Sequence, residues 1–254
     1  MQRKCALVTG ASSGIGKGIA RVLAENGYDV GISFNQNEAG ARDTLDQVAA
    51  RGARGVLLQA DVADMRQNAA LAAAFLDAFG RVDLLVNNAG ITRAKPFLDV
   101  DEALFDDVLG LDLKGSFFLS QHIARRMVAD KTAGRIVNIT SNHQQGCWPG
   151  STVYAASKAA LMKFTQNCAM ELAPYKITVN AIAPGYTVIE RMGDYRARYA
   201  GPLSRIPLKR FLTPEEVGHA VVYLASEQAG YITGTCLTMD GGALLPAWVA
   251  QEPQ

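Results

Sequence analysis

The chain has 254 residues, 49% hydrophobic and 19% charged, enough to bury one large core and to fill one domain or at most two. Lys and Arg number 25 against 24 Asp and Glu, and the resulting +1 offers no broad field to nucleic acid or an anionic membrane, so neither is expected as a partner. The four cysteines, Cys5, Cys147, Cys168 and Cys236, lie far apart with no CxxC and no histidine at zinc spacing, so the expectation is a reduced, cytoplasmic protein without a metal.

Short β-rich apolar runs alternate along the chain with longer helical patterns. The first run, residues 5–9, follows Met1 so closely that a leader with its charged region, hydrophobic stretch and cleavage site is not expected. Further runs occupy 29–33, 55–59, 84–87, 135–140, 177–182 and 237–239, each too short to be an amphipathic helix. Between them, 16–26, 37–51, 67–79, 102–129, 153–173 and 214–225 read as helices. No apolar run reaches membrane-spanning length. The alternation predicts a doubly wound α/β fold, a parallel sheet of seven strands with helices on both faces. No repeat, low-complexity tract or linker breaks it, which predicts one domain over 1–254. One stretch, 185–211, is too long for an ordinary connection and carries charges, aromatics and two prolines; it reads as a mobile cover over a site.

The first run ends in Thr9-Gly10-Ala11-Ser12-Ser13-Gly14-Ile15-Gly16 and passes straight into a helix. At Gly10, Gly14 and Gly16 the absent side chains let backbone approach a pyrophosphate, held by amides at the positive end of the helix. Glycine spacing alone is a weak signal, because any tight strand-to-helix turn favours glycine. Asp61-Val62 and Asn87-Asn88-Ala89-Gly90 close the third and fourth runs, so three strand ends converge on one sheet edge, and that agreement strengthens it.

In the second half, Ser141 ends the fifth run, and Tyr154 and Lys158 stand four apart on one helical face. Each residue alone is ordinary. Together they suit the oxidation of an alcohol, which loses a proton as it loses a hydride. A free phenol ionises near pH 10, so stabilising its anion at neutrality takes about 4 kcal/mol, which a lysine ammonium at about 4 Å roughly supplies. Tyr154 is thus the candidate proton carrier, Lys158 its electrostatic partner, and Ser141 the group that holds the substrate oxygen.

These motifs resemble the short-chain dehydrogenase/reductase family in its compact form. The likeness runs over nearly the whole chain: Thr9-Gly10-x-x-x-Gly14-Ile15-Gly16, Asp61-Val62, Asn87 to Gly90, Ser141, Tyr154-Ala155-Ala156-Ser157-Lys158, Val179-Asn180, Pro184-Gly185 and Met239-Asp240-Gly241-Gly242. The resemblance implies sheet order 3-2-1-4-5-6-7, an NAD(P) cofactor, Asp61 and Val62 around adenine, Asn87 and Lys158 on ribose, and a homotetramer. Two positions depart from the family pattern. Asp112, in Leu111-Asp112-Leu113, stands where members carry an asparagine that completes a proton relay behind the lysine; it is expected roughly 6 to 8 Å from Lys158. In Pro184-Gly185-Tyr186-Thr187-Val188-Ile189 the threonine that members place on the nicotinamide is displaced, and Thr187 is the candidate substitute.

The segment Ser33-Phe34-Asn35-Gln36-Asn37 offers neither a carboxylate for ribose hydroxyls nor a cation for a 2′-phosphate, and Ser13 occupies a loop position often basic in NADP users; the balance leans to NADP. Alternatively, Asn35 simply caps the next helix. Ser141-Asn142-His143-Gln144, Trp148-Pro149 and the tail Asp240-Gly241-Gly242-Ala243-Leu244-Leu245-Pro246 look closest to the sugar dehydrogenases of the family, making His143, Trp148 and Tyr186 substrate candidates beside Ser141 and Tyr154. For His143 the plainer reading is a solvated loop histidine. The competing substrate is a 3-oxoacyl carrier protein, but the carrier-facing positions read Ala129-Asp130-Lys131 and Pro174-Tyr175, not a basic patch. A cofactor-binding sensor without chemistry is favoured only by Asp112.

Overall fold

The computed structural model describes residues 3–245; Pro246 of the tail motif lies outside the described residues. The seven predicted strands form: β1 (Lys4–Val8), β2 (Tyr28–Phe34), β3 (Gly55–Gln59), β4 (Leu84–Asn87), β5 (Arg135–Ile139), β6 (Thr178–Pro184) and β7 (Cys236–Met239). They run parallel in one sheet of order β3-β2-β1-β4-β5-β6-β7. Residues of β1, β4, β5 and β6 are buried almost without a break, because helices cover both faces of a parallel sheet and leave no solvated side to alternate with. This is why the strands read as continuous apolar runs.

The helices are α1 (Gly14–Glu25), α2 (Glu38–Ala49), α3 (Met65–Phe79), α4 (Glu102–Leu109), α5 (Ser116–Ala129), α6 (Thr152–Leu172), α7 (Tyr195–Arg198), α8 (Ala200–Ser204) and α9 (Pro214–Ala225). One core layer packs Ile19 and Leu23 of α1 with Val217 and Val221 of α9 against Val8, Ile32 and Val86 of the sheet. The other packs Phe75, Leu119, Ile123 and Met127 against Leu7, Leu85 and Ile136. Among the described residues no helix is long and apolar enough to cross a membrane.

Three expectations change. The helix anticipated over 102–129 is interrupted by a π-helical segment, Gly110–Gly115, which inserts a residue and rotates the side chains that follow. Asn35 does not cap α2; Asn37 does, its Oδ1 accepting from Gly40 N–H at 3.0 Å, so the helix begins two residues later than an Asn35 cap would allow. The 185–211 stretch is not wholly irregular, since it holds α7 and α8.

Candidate active site

The strand ends of β1, β4, β5 and β6 surround two adjoining cavities. The larger, about 1340 Å³, is lined by Gly10, Ser12 and Ser13, by Asn35, by Asp61 and Val62, and by Ala89 and Gly90. The smaller, about 440 Å³, is lined by Ser13, Gly14 and Ile15, by Ser141, Tyr154 and Lys158, and by Pro184, Gly185, Ile189 and Glu190. Ser13 and Gly90 belong to both.

The turn between them needs its glycines. Gly10 has φ +62 and Gly14 φ +53, left-handed values that strain other residues. A Cβ on Gly16 would lie 2.3 Å from Gly10 O, so that position is set by close packing within the turn, and it lines neither cavity. Thr9 and Asn88 hold the turn in place. Thr9 Oγ1 accepts from the N–H groups of Asn88 and Ala89 at 2.9 Å each, and Asn88 Nδ2 donates to Thr9 O at 2.8 Å and Gly10 O at 3.2 Å. The turn thus opens onto the N-terminus of α1, where backbone N–H groups favour an anion. A cavity on either side, a glycine cradle and a helix N-terminus between them fit a dinucleotide with its pyrophosphate at the turn.

In the smaller cavity the groups of the second half meet. Ser141 is buried at the end of β5; its Oγ accepts from His143 N–H at 3.2 Å, which leaves its own hydrogen to donate. Tyr154 lies in the first turn of α6, and Lys158 Nζ stands 5.5 Å from its ring centroid. Lys158 is 3% exposed, within 3.4 Å of Ile139 O and of Asp112 Oδ2. Asp112, 0% exposed, is presented by the π-helical segment; Oδ1 accepts from Ile91 N–H at 2.9 Å and Oδ2 from Ser157 Oγ at 3.0 Å. The separation of roughly 6 to 8 Å expected for Asp112 and Lys158 is therefore corrected to direct contact. Gly90 permits it, since a Cβ there would lie 3.0 Å from both Asp112 Oδ1 and Lys158 Nζ.

Other placements differ from expectation. Asn87 is 2% exposed, and its Nδ2 donates to Ser120 Oγ and Asn138 Oδ1, both at 2.8 Å. The side chain of Asn87, the residue expected on ribose, is committed to the interior, which leaves its main chain to face that site, because the last residue of β4 points under the sheet towards α5 while Asn88 points to the turn. Thr187 likewise faces away from the cavities: its Oγ1 donates to Gly185 O at 3.1 Å and its backbone bridges to Leu212, so Ile189 and Glu190 reach the cavity instead. Tyr186 is drawn off by aromatic packing, stacking on Phe211 at 5.0 Å beside Tyr195. His143 does sit with the catalytic candidates. Its ring stacks on Trp148 at 3.9 Å and meets the Tyr154 ring edge-on at 5.2 Å, and burial pushes its ionisation below the ordinary value, favouring the neutral imidazole. Asn88, Ser157 and Glu190 were not singled out in sequence. The first two lie inside recognised motifs, whereas nothing local marks Glu190.

A family profile described as Enoyl-(Acyl carrier protein) reductase matches residues 10–243. The 2-dehydro-3-deoxy-D-gluconate 5-dehydrogenase of Dickeya dadantii is 40% identical over 249 residues, 96% of this chain and 96% of that protein. The chain belongs to the short-chain dehydrogenase/reductase family. Another relative, a 3-oxoacyl-[acyl-carrier-protein] reductase of Staphylococcus aureus, is 38% identical over 94% of this chain and 97% of its own length. Among solved structures of the family, acetoin dehydrogenase YohF from Salmonella typhimurium superposes with a TM-score of 0.90 at 36% identity, covering 98% of this chain and 99% of that one.

Proposed function

We propose that this chain is an NAD(P)-dependent oxidoreductase that interconverts a secondary alcohol and its carbonyl, acting on a sugar or polyol, with NADP preferred slightly over NAD. The observation that carries this reading is the meeting of Ser141, Tyr154 and Lys158 in one cavity with the glycine turn at the start of α1. When bound, the nicotinamide accepts or returns the hydride. Tyr154 takes the hydroxyl proton during oxidation and gives it back during reduction. The Lys158 ammonium stabilises the phenolate, and Ser141 donates to the substrate oxygen as charge develops on it. Asp112 acts through Lys158, as its counterion. Gly10, Ser12, Ser13, Gly14 and Ile15 hold the pyrophosphate, Asp61 and Val62 the adenine, and main chain of 87–90, in place of the Asn87 side chain, joins Lys158 at the ribose. Pro184 and Gly185 flank the nicotinamide, with Ile189 in the place proposed for Thr187.

The lean to NADP rests on Asn35, which lines the larger cavity with no carboxylate beside it in 33–37. His143, stacked on Trp148 and edge-on to the Tyr154 ring, puts a polar and aromatic pair beside the proton carrier that suits a hydroxyl-rich substrate, and the gluconate-type relative agrees in class. The carrier-protein reading is supported by the Staphylococcus aureus relative and opposed by positions 129–131 and 174–175, where Lys131 stands beside Asp130 and no basic patch forms. We also propose one domain over 1–254 whose 185–211 segment covers the substrate, in a homotetramer in the cytoplasm. Exposed Phe105, Phe117 and Met170 on three neighbouring helices support an assembly, and free cysteines suit a reducing compartment. The test is absorbance of the reduced nicotinamide with panels of polyols, α-hydroxy ketones and a 3-oxoacyl thioester. Cofactor binding without turnover of any of them would replace the enzyme reading by that of a sensor.

A further inference from the structure

The cover segment does more than roof the smaller cavity. Glu190 reaches across it to the start of α1, where Oε2 accepts from Gly14 N–H at 3.0 Å and Oε1 lies 3.3 Å from Lys17 Nζ. Ile189 packs on the same spot, with Cγ2 3.1 Å from where a Gly14 Cβ would be. Burial alone would raise the Glu190 carboxyl, but bonds from its own backbone and from Gly14, with Lys17 beside it, hold it below the ordinary carboxylate range. The contact follows directly after an anchor: Val188 N–H donates to Leu212 O at 2.8 Å, and Leu212 N–H to Tyr186 O at 2.9 Å. Residues 189–190 are therefore the first part of the segment beyond that anchor, and their side chains are seated on α1.

We propose that Glu190 is an internal latch: its carboxylate occupies the anion position at the α1 N-terminus, so that cofactor binding must displace it and thereby releases the cover segment from the glycine turn. The inference rests on the cofactor reading above. A pyrophosphate and a carboxylate cannot share one N–H and one face of the turn without strong like-charge repulsion in a partly enclosed cavity. Displacement leaves no orphan, because Lys17 keeps Asp43 at 2.6 Å and the Glu190 side chain is already 55% exposed. Coupling is reciprocal: the latch weakens cofactor binding by the factor with which the cofactor weakens the latch. A carboxylate at a helix N-terminus with a half-exposed ion pair corresponds to a factor of about three to ten.

The experiment compares Kd for NADPH and NADH, by protein fluorescence, in the wild type, Glu190→Gln and Glu227→Gln, the last removing an exposed carboxylate outside both cavities. Glu190→Gln is expected to bind about three- to tenfold tighter than Glu227→Gln, with the gain shrinking as salt rises. Hydrogen exchange over 186–200 gives an independent readout: NADPH raises it in the wild type, and in Glu190→Gln it is raised beforehand and changes less. Equal or weaker binding by Glu190→Gln, or the same exchange response in both, overturns the latch while leaving the cofactor reading intact. A wild type that binds neither dinucleotide overturns both.

Discussion

Replacing Asp112 by asparagine changes one charge at the back of the proposed proton carrier. The carboxylate lies 3.4 Å from Lys158 Nζ, a Coulomb attraction of about 5 kcal/mol at an effective dielectric of 20, part of which offsets the desolvation of two buried charges. Nζ in turn is 5.5 Å from the Tyr154 ring centroid. The carboxylate therefore sits up to roughly 9 Å from the centre of the ring over which the phenolate charge develops and opposes it by about 2 kcal/mol before screening, or about one pH unit after it. Oxidation needs the phenolate, so the rate rises with pH along the acidic limb. Removing the opposing charge should move that limb down by about one pH unit. The fold has room for the amide. Ser157 has one hydroxyl hydrogen and two acceptors, Tyr154 O at 2.8 Å and Asp112 Oδ2 at 3.0 Å. In Asp112→Asn the introduced amide would donate to Ser157 and free that hydrogen for Tyr154 O, while still accepting from Ile91 N–H; Lys158 Nζ would lose the Oδ2 acceptor and keep Ile139 O at 3.4 Å. The assay is kcat/KM for alcohol oxidation against pH, with a deuterated substrate confirming that hydride transfer limits the rate. An unmoved limb would refute an ionised Asp112 acting on Tyr154, and complete loss of activity would refute the role of Asp112 as a simple counterion.

Tyr154→Phe should lower turnover by about three orders of magnitude while cofactor Kd stays within a few-fold, because it deletes the proton carrier and little ribose contact; retention of more than about a tenth of the activity would reject the assignment. Asn35→Asp should shift the kcat/KM ratio towards NAD by about tenfold, since a carboxylate accepts ribose hydroxyls and repels a 2′-phosphate; an unchanged ratio would place Asn35 away from that ribose. For stability, Thr213 caps α9 in a reciprocal box with Glu216, and the Arg210 guanidinium holds the Glu216 carboxyl down to about 2 from 4.5. A depressed carboxyl stabilises above its unfolded value and loses that contribution as pH falls towards 2. Glu216→Gln should therefore cost up to about 1 kcal/mol at neutral pH, the pair being largely solvent-screened, with the deficit closing between about pH 4.5 and 2 in thermal melts. A deficit independent of pH would show that the charge contributes nothing.

Strand positions were legible because parallel strands covered on both faces leave short apolar signatures, and turns at their carboxyl ends carry the glycines and asparagines of the site; the sheet order came from the family resemblance, since apolar runs do not say which strand lies beside which. What was not legible depends on orientation more than on identity. The π-helical segment keeps a helical apolar pattern through 102–129, so nothing in Leu111-Asp112-Leu113 announces the rotation that aims Asp112 at Lys158. Asn87 and Asn88 are identical in sequence, and only their opposite directions at the end of β4 send one into the sheet and the other to the glycine turn. Asn35 and Asn37 are equivalent capping residues until the length of β2 selects the second. The partners of Glu190 lie at Gly14 and Lys17, beyond the reach of any local pattern.

The clasp of Thr9 and Asn88 has a consequence for when the glycine turn comes into being. Its two halves are 79 residues apart in sequence, and the bonds that shape the turn form only once β1 and β4 lie side by side. Such long-range closure comes late in folding. The turn is therefore not a portable peptide: a chain emerging from synthesis cannot shape it until β4 and the residues after it have been made and paired, and a fragment ending after α2 would carry every glycine of the turn yet lack the clasp that sets it.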